Sequence, residues 1–269
     1  MTLSAYLRCL FGIIYRELLR FIHQRGRFIA ALVRPLVWLI IFAAGFRMAL
    51  GIAITPPYKT YILYEVYIVP GLVGMVQLFN GMQSSLSMVY DREMGSMRVL
   101  LTSPLPRWFL LVSRLLASTL VSMVQAYAFL LIAYLYGVRM PLWGYLFAFP
   151  ALVLSGLMLG ALGILLSSLI RQLENFAGVM NFVIFPMFFL SSALYPLWRV
   201  REASPLLAEL ATWNPFTYAV EMIRFALYEQ LNLEATLITL GTMLVLMLLA
   251  ILGYNPARGM MARKGQAPG

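Results

Sequence analysis

Cysteine is nearly missing from this sequence. Cys9 stands alone in 269 residues, which excludes an intrachain disulfide framework and any cysteine cage for zinc or iron–sulfur. Histidine is as scarce: with His23 as the sole imidazole, neither a His-based catalytic triad nor a two-histidine metal site can be assembled within one chain. Catalytic and metal-binding residues are therefore expected to be none. Only 11% of residues are charged, ten acidic against twenty basic, which is too few to clothe a water-soluble fold of this length. Acidic residues are missing from the centre of every apolar stretch, which weakens a proton relay or ion-coupled mechanism. The phosphate-loop signature Gly-x-x-x-x-Gly-Lys-Ser/Thr does not occur, so the chain is not expected to bind ATP as a P-loop engine does.

What the sequence has in quantity is apolar surface. Hydrophobic residues make up 62% of it, in stretches that reach the roughly 20 residues needed to cross a hydrocarbon core as a helix. None shows the alternating ten-residue pattern of a membrane barrel, so the fold class is all-α, a polytopic membrane protein of about six transmembrane helices. The spans are drawn at 28–50, 62–88, 108–136, 142–170, 175–197 and 235–254. The net charge of +10 does not signal nucleic acid, because the arginines are scattered between spans and form no single basic face. It reads as topology. With both termini placed inside, the inner segments carry thirteen cations against four acids and the outer segments six against six, a positive-inside bias. Arg34, early in the first span, is left to snorkel toward the inner interface.

Residues 1–27 hold five arginines and no small-residue cleavage site, so a cleaved signal peptide is not expected. Read as a helix, residues 3–24 place Leu3, Leu7, Leu10, Ile14, Leu18 and Phe21 on one face with Arg8, Arg16, Glu17, Arg20 and Gln24 opposite, the pattern of an amphipathic interfacial helix on the cytoplasmic headgroups. A plain positively charged leader is the alternative. Residues 28–269 are taken as one membrane domain with no appended soluble unit. The stretch 198–229 is aromatic, charged and broken by Pro205 and Pro215, so it is expected at the outer interface or dipping back between helices.

The inner segment 89–107 mixes charge with apolar anchors. Asp91, Arg92, Glu93 and Arg98 surround Met97, Leu100 and Leu101, and Pro104 and Pro106 stop the run, which predicts a short projecting helix able to dock in a groove of a cytoplasmic partner. A solvated loop flanked by topogenic arginines fits the same residues. The run Asp91-Arg92-Glu93-Met94-Gly95-Ser96 followed by Thr102-Ser103-Pro104-Leu105-Pro106-Arg107 resembles the first cytoplasmic loop of ABC-2 type exporter permeases, the family of drug, polysaccharide and nodulation-factor exporters. A second run, Asn214-Pro215-Phe216-Thr217-Tyr218, resembles the segment that family carries before its last span. Length, span count and motif order agree over essentially the whole chain.

That resemblance implies a permease subunit of an inner-membrane exporter, multi-pass, with both termini cytoplasmic and no cofactor of its own. ATP and Mg would be bound by a separate ABC ATPase subunit, present in two copies. Asp91, Arg92, Glu93, Gly95, Ser96, Met97, Arg98 and Leu100 would be the ATPase-coupling contacts, and Asn214, Pro215, Thr217 and Tyr218 the outer motif. A second permease protomer, identical or homologous, would complete the path. Gln77, Asn80 and Ser84 recur at helical spacing, and with Asn181 and Phe185 they are candidates for that path or for helix packing. Ser118, Ser122 and Gln125 form a similar polar face, and Gly156, Gly160, Gly163 and Ser167 a strip of small residues that permits close helix approach. An ion-coupled secondary carrier and a membrane scaffold anchoring a cytoplasmic partner remain the other classes.

Overall fold

The computed structural model describes residues 3–23, 25–46, 56–60, 62–93, 105–170 and 173–253. Regular structure among them is helical, because a backbone in lipid has no water to bond and must satisfy its own N–H and C=O groups. The helices are α1 (Leu3–His23), α2 (Arg25–Phe46), α3 (Tyr64–Glu93), α4 (Arg107–Leu135), α5 (Leu142–Leu169), α6 (Leu173–Phe189), α7 (Leu197–Ala203), α8 (Pro205–Trp213), α9 (Pro215–Leu227) and α10 (Leu233–Gly253). The chain is an all-helical polytopic membrane protein. Among the described residues, Trp108–Leu135, Leu142–Leu169 and Leu233–Gly253 are long and apolar enough to cross a membrane, and Phe28–Phe42 and Gly178–Phe189 are shorter apolar helices.

The outer surface is made of lipid-loving side chains. On α10, Leu237, Leu244, Val245, Leu248 and Leu252 are all more than half exposed, a flank that water would not tolerate and acyl chains solvate freely. α3 is the opposite case. From Tyr64 to Met82 nearly every side chain is buried, because α2, α4, α5, α6 and α9 all pack around it. Its environment is protein, and this lets it carry Gln77, Asn80 and Ser85 where a lipid-facing helix would carry leucine.

α3 and α5 cross with their backbones in close approach. A Cβ added to Gly163 would lie 2.6 Å from the Gly81 carbonyl oxygen, and one added to Gly81 would lie 2.9 Å from the Leu159 carbonyl oxygen. Only hydrogen fits there. Gly156 and Gly160 of the same strip face Thr119 and Leu115, so the small residues seat α4 as well as α3 against α5.

α1 carries two apolar flanks, not one. Leu10, Ile14, Leu18 and Phe21 turn toward the protein, where α1 lies along α4 and the Tyr6 ring meets Phe109 edge to face at 4.8 Å. Leu3 and Leu7 instead join Phe11, Tyr15, Leu19 and Ile22 on the exposed side. The single face read from the sequence is thus divided between a flank packed on protein and an exposed one.

Candidate functional site

Three groups of residues carry the polarity that the bundle otherwise avoids. The first is the end of α3 and the connection from it to α4. Asp91, Arg92 and Glu93 form the last turn of α3, and α4 restarts at Arg107 behind the extended residue Pro106. The expected coupling residues Gly95, Ser96, Met97, Arg98 and Leu100 lie outside the described residues. Near this end Arg114 of α4, 5% exposed, donates to the Ser87 hydroxyl at 2.7 Å, and Ser87 in turn donates to the Ser84 carbonyl at 2.7 Å.

The second group is the middle of the bundle. Gln77 donates to the Leu152 carbonyl at 2.7 Å and accepts from Ser155 at 2.6 Å, so its buried amide joins α3 to α5. That is a packing role. Asn80 and Ser84, one and two turns further on, face a different way: with Gln83 and Ser87 they line a cleft closed by Ser118, Val121 and Gln125 of α4 and by Glu17, Arg20 and Phe21 of α1. The cleft is open at its mouth, and about 30 Å³ of it has room for water-sized groups. Asn80 Nδ2 and Gln125 Oε1 are both buried without a hydrogen-bond partner. An unpaired buried polar atom costs about 1–3 kcal/mol, so this cleft holds a donor and an acceptor whose bonding capacity is unused. Asn181 and Phe185 do not share it. Both are exposed on α6 beside Phe182, so the candidate path residues divide between an internal cleft and an outward face.

The third group lies at the opposite end of α3. Asn214 is the N-cap of α9, where its Oδ1 accepts from the Phe216 amide at 3.0 Å while its Nδ2 donates to the carbonyls of Met187 and Leu190 at 2.7 and 2.6 Å. Pro215 starts the helix with a preset φ, and Thr217 donates to the Ala211 carbonyl at 2.7 Å. Tyr218 is half-buried beside the core. The motif therefore ties the end of α6, the end of α8 and the start of α9 into one corner. α9 then packs between α3 and α5, running from Phe216 and Val220 beside Gly74 to Arg224 beside Tyr67 near the start of α3, and its last carbonyl meets α5 where a side chain at Gly144 would strike Leu227. The short helices of 197–227 thus include one that dips between helices, as the broken character of this stretch predicted.

Arg224 reads in the sequence as one more outer charge, and the structure places it elsewhere. It is 1% exposed. Its guanidinium pairs with Glu221, donates to the Ser192 carbonyl at 2.7 Å and sits 4.0 Å from the Tyr67 ring centroid. Tyr67 donates to the same Ser192 carbonyl at 3.1 Å and Tyr64 to the Leu194 carbonyl at 2.7 Å, so the start of α3 is hooked to the 190–196 turn. Tyr58 and Tyr228 meet edge to face at 4.8 Å close by, and burial pushes the Tyr228 phenol up to about 12 and Tyr58 upward as well. The only sequence signal for this lock was the i, i+3 spacing of Glu221 and Arg224. Arg34 differs: it stays exposed on α2, with its guanidinium 3.7 Å from the Phe79 ring centroid.

Known proteins bear on this architecture. The family model described as ABC-2 type transporter matches residues 8–228, from α1 to the end of α9. A chain named as a transport permease, ycf38 of Cyanophora paradoxa, is 28% identical over 227 residues, covering 82% of this chain and 74% of that one. Its namesake in Pyropia yezoensis is also 28% identical, over 236 residues, with 84% and 75% covered. YbhR of Escherichia coli, named as a multidrug ABC transporter permease, is 29% identical over 193 residues, which is 70% of this chain and 51% of that protein.

Proposed function

The chain belongs to the ABC-2 type transporter family, and from that premise we infer that it is the membrane-spanning subunit of an ATP-driven exporter whose nucleotide-hydrolysing subunit is a separate polypeptide. One observation carries the mechanical part of this reading. α3 is about 45 Å long at 1.5 Å per residue, it is surrounded by five other helices, and both of its ends are engaged. One end continues into the coupling segment 89–107; the other is hooked to the 190–196 turn through Tyr64 and Tyr67. In this reading a push delivered at Glu93 travels along α3 to the 190–196 turn, which Asn214 holds through the Leu190 carbonyl.

In this reading Asp91, Arg92, Glu93, Gly95, Ser96, Met97, Arg98 and Leu100 meet the ATPase, two copies of which serve two permease protomers. ATP binding draws the motor together, biases the paired bundles toward an outward-opening arrangement, and hydrolysis resets them. The excess of cations on the inner segments orients both termini toward the cytoplasm of the inner membrane. The weakly polar interior suits amphipathic cargo.

Copurification with the cognate ATPase tests the assignment. Glu93→Ala combined with Arg98→Ala should cut transport-coupled ATP turnover about tenfold, the scale of losing one or two interfacial charge contacts, with the permease still folded and inserted. Flux that follows an ion gradient and ignores ATP would sink it in favour of a secondary carrier.

A further inference from the structure

The cleft between α1, α3 and α4 has no task in the coupling scheme, yet it is built as a binding site. Two of its lining side chains are more than nine-tenths buried and have an unpaired atom: Asn80, 8% exposed, with Nδ2 to donate, and Gln125, 3% exposed, with Oε1 to accept. A hydroxyl group satisfies both at once, since it accepts through oxygen and donates through hydrogen. The half-buried hydroxyls of Ser84, Ser87 and Ser118 and the Gln83 amide extend the same chemistry toward the mouth.

Charge narrows the ligand further. Arg20, at the mouth, lies 3.5 Å from Glu17, which also holds Arg16 at 3.2 Å, and Arg114 donates to Ser87 in the cleft wall. Two guanidiniums share that one carboxylate, which leaves net positive charge on the α1 side of the cleft. The wall of the cleft is also an interfacial helix, whose exposed row Leu3, Leu7, Phe11, Tyr15, Leu19 and Ile22 belongs among acyl chains. A pocket bounded by that helix opens at headgroup depth.

We propose that this cleft binds the headgroup of an anionic, hydroxyl-bearing phospholipid, with the phosphate at Arg20 and a headgroup hydroxyl between Asn80 and Gln125. The interaction rests only on the chain being a membrane protein, so it stands or falls independently of any ATPase. A lipid held there spans the joint between α1 and the α3–α4 pair, and so makes the seating of α1 depend on membrane composition.

The test uses the purified full-length chain in detergent, titrated with phosphatidylglycerol, phosphatidylcholine or soluble glycerol phosphate, and read by thermal unfolding and by native mass spectrometry. Phosphatidylglycerol should remain bound and raise the unfolding midpoint, while the other two leave it in place. Gln125→Met and Asn80→Leu should each weaken phosphatidylglycerol binding about tenfold, yet leave the lipid-free midpoint unchanged or higher, because each removes an unpaired buried group. Ser84→Ala and Ser118→Ala, at half-buried positions, provide milder variants that should weaken binding about threefold. Equal shifts with phosphatidylcholine, an equal shift with glycerol phosphate, or undiminished phosphatidylglycerol binding by these variants would each overturn the proposal.

Discussion

Asn214 makes three hydrogen bonds with one amide, and each of its two ends has a separate duty. The oxygen caps α9, worth about 1 kcal/mol, and the nitrogen holds two carbonyls at the end of α6 that otherwise face a buried corner. Asn214→Ala should therefore cost about 2 kcal/mol of stability. Asn214→Asp is the sharper variant. Aspartate caps a helix as well as asparagine does, but here its second oxygen would face the Met187 and Leu190 carbonyls with nothing to donate. It should be the more destabilised of the two by thermal unfolding in detergent; if Asp matches wild type, the residue is only a cap. The family motif made Asn214 visible in the sequence, though not this division of labour. Arg224 was visible only as a charge, because a buried arginine and a surface arginine are the same letter until Ser192 and Tyr67 are brought beside it. Breaking such a pair from one side is costly, since the partner charge is left behind.

At the scale of elements, the strip Gly156–Gly160–Gly163 was legible as a place of close approach, and that approach occurs against α3 at Gly163 and against α4 at Gly156 and Gly160. The spacing did not identify the partner helix. Gly163→Ala should destabilise by about 2 kcal/mol, as its new carbon would press on the Gly81 carbonyl and the Ser85 hydroxyl, and an overpacked contact with backbone has little room to relax. Gly241→Ala in α10 meets nothing within 4 Å and should be neutral or gain about 1 kcal/mol from helix propensity. Comparing the two midpoints separates packing from propensity. The lengths of the long apolar helices were legible for the same reason their lipid flanks are apolar, but the span drawn at 175–197 ends at Phe189, three residues past Pro186, where the chain enters the 190–196 turn. The double flank of α1 was not, because periodicity reports that a face is apolar and says nothing about whether protein or lipid covers it.

For the whole molecule, the two ends of the bundle differ in kind. One gathers the start of α1, the end of α3 and the start of α4; the other gathers residues 56–60, the 190–196 turn and the end of α9, where Gln230 donates to the Pro57 carbonyl at 3.1 Å. If the first end is cytoplasmic, a Cys9→Ser background carrying Lys59→Cys should react with a membrane-impermeant thiol reagent in intact cells, whereas Tyr90→Cys should stay shielded until the membrane is opened. Both positions are exposed on the protein, so topology alone decides the outcome. The reverse pattern would invert the orientation and place the coupling segment on the wrong side for a cytoplasmic motor.

The enclosure of α3 also bears on how the chain is made. Gln77, Asn80, Ser84 and Ser85 leave it too polar to prefer acyl chains strongly on its own, and the amide of Gln77 finds its carbonyl only on α5. During synthesis, therefore, partitioning alone holds this segment weakly in the bilayer, and it becomes secure when a later-made helix arrives to shelter it. Its final position is conferred retroactively, by sequence that the ribosome has not yet read when the segment first leaves the translocon.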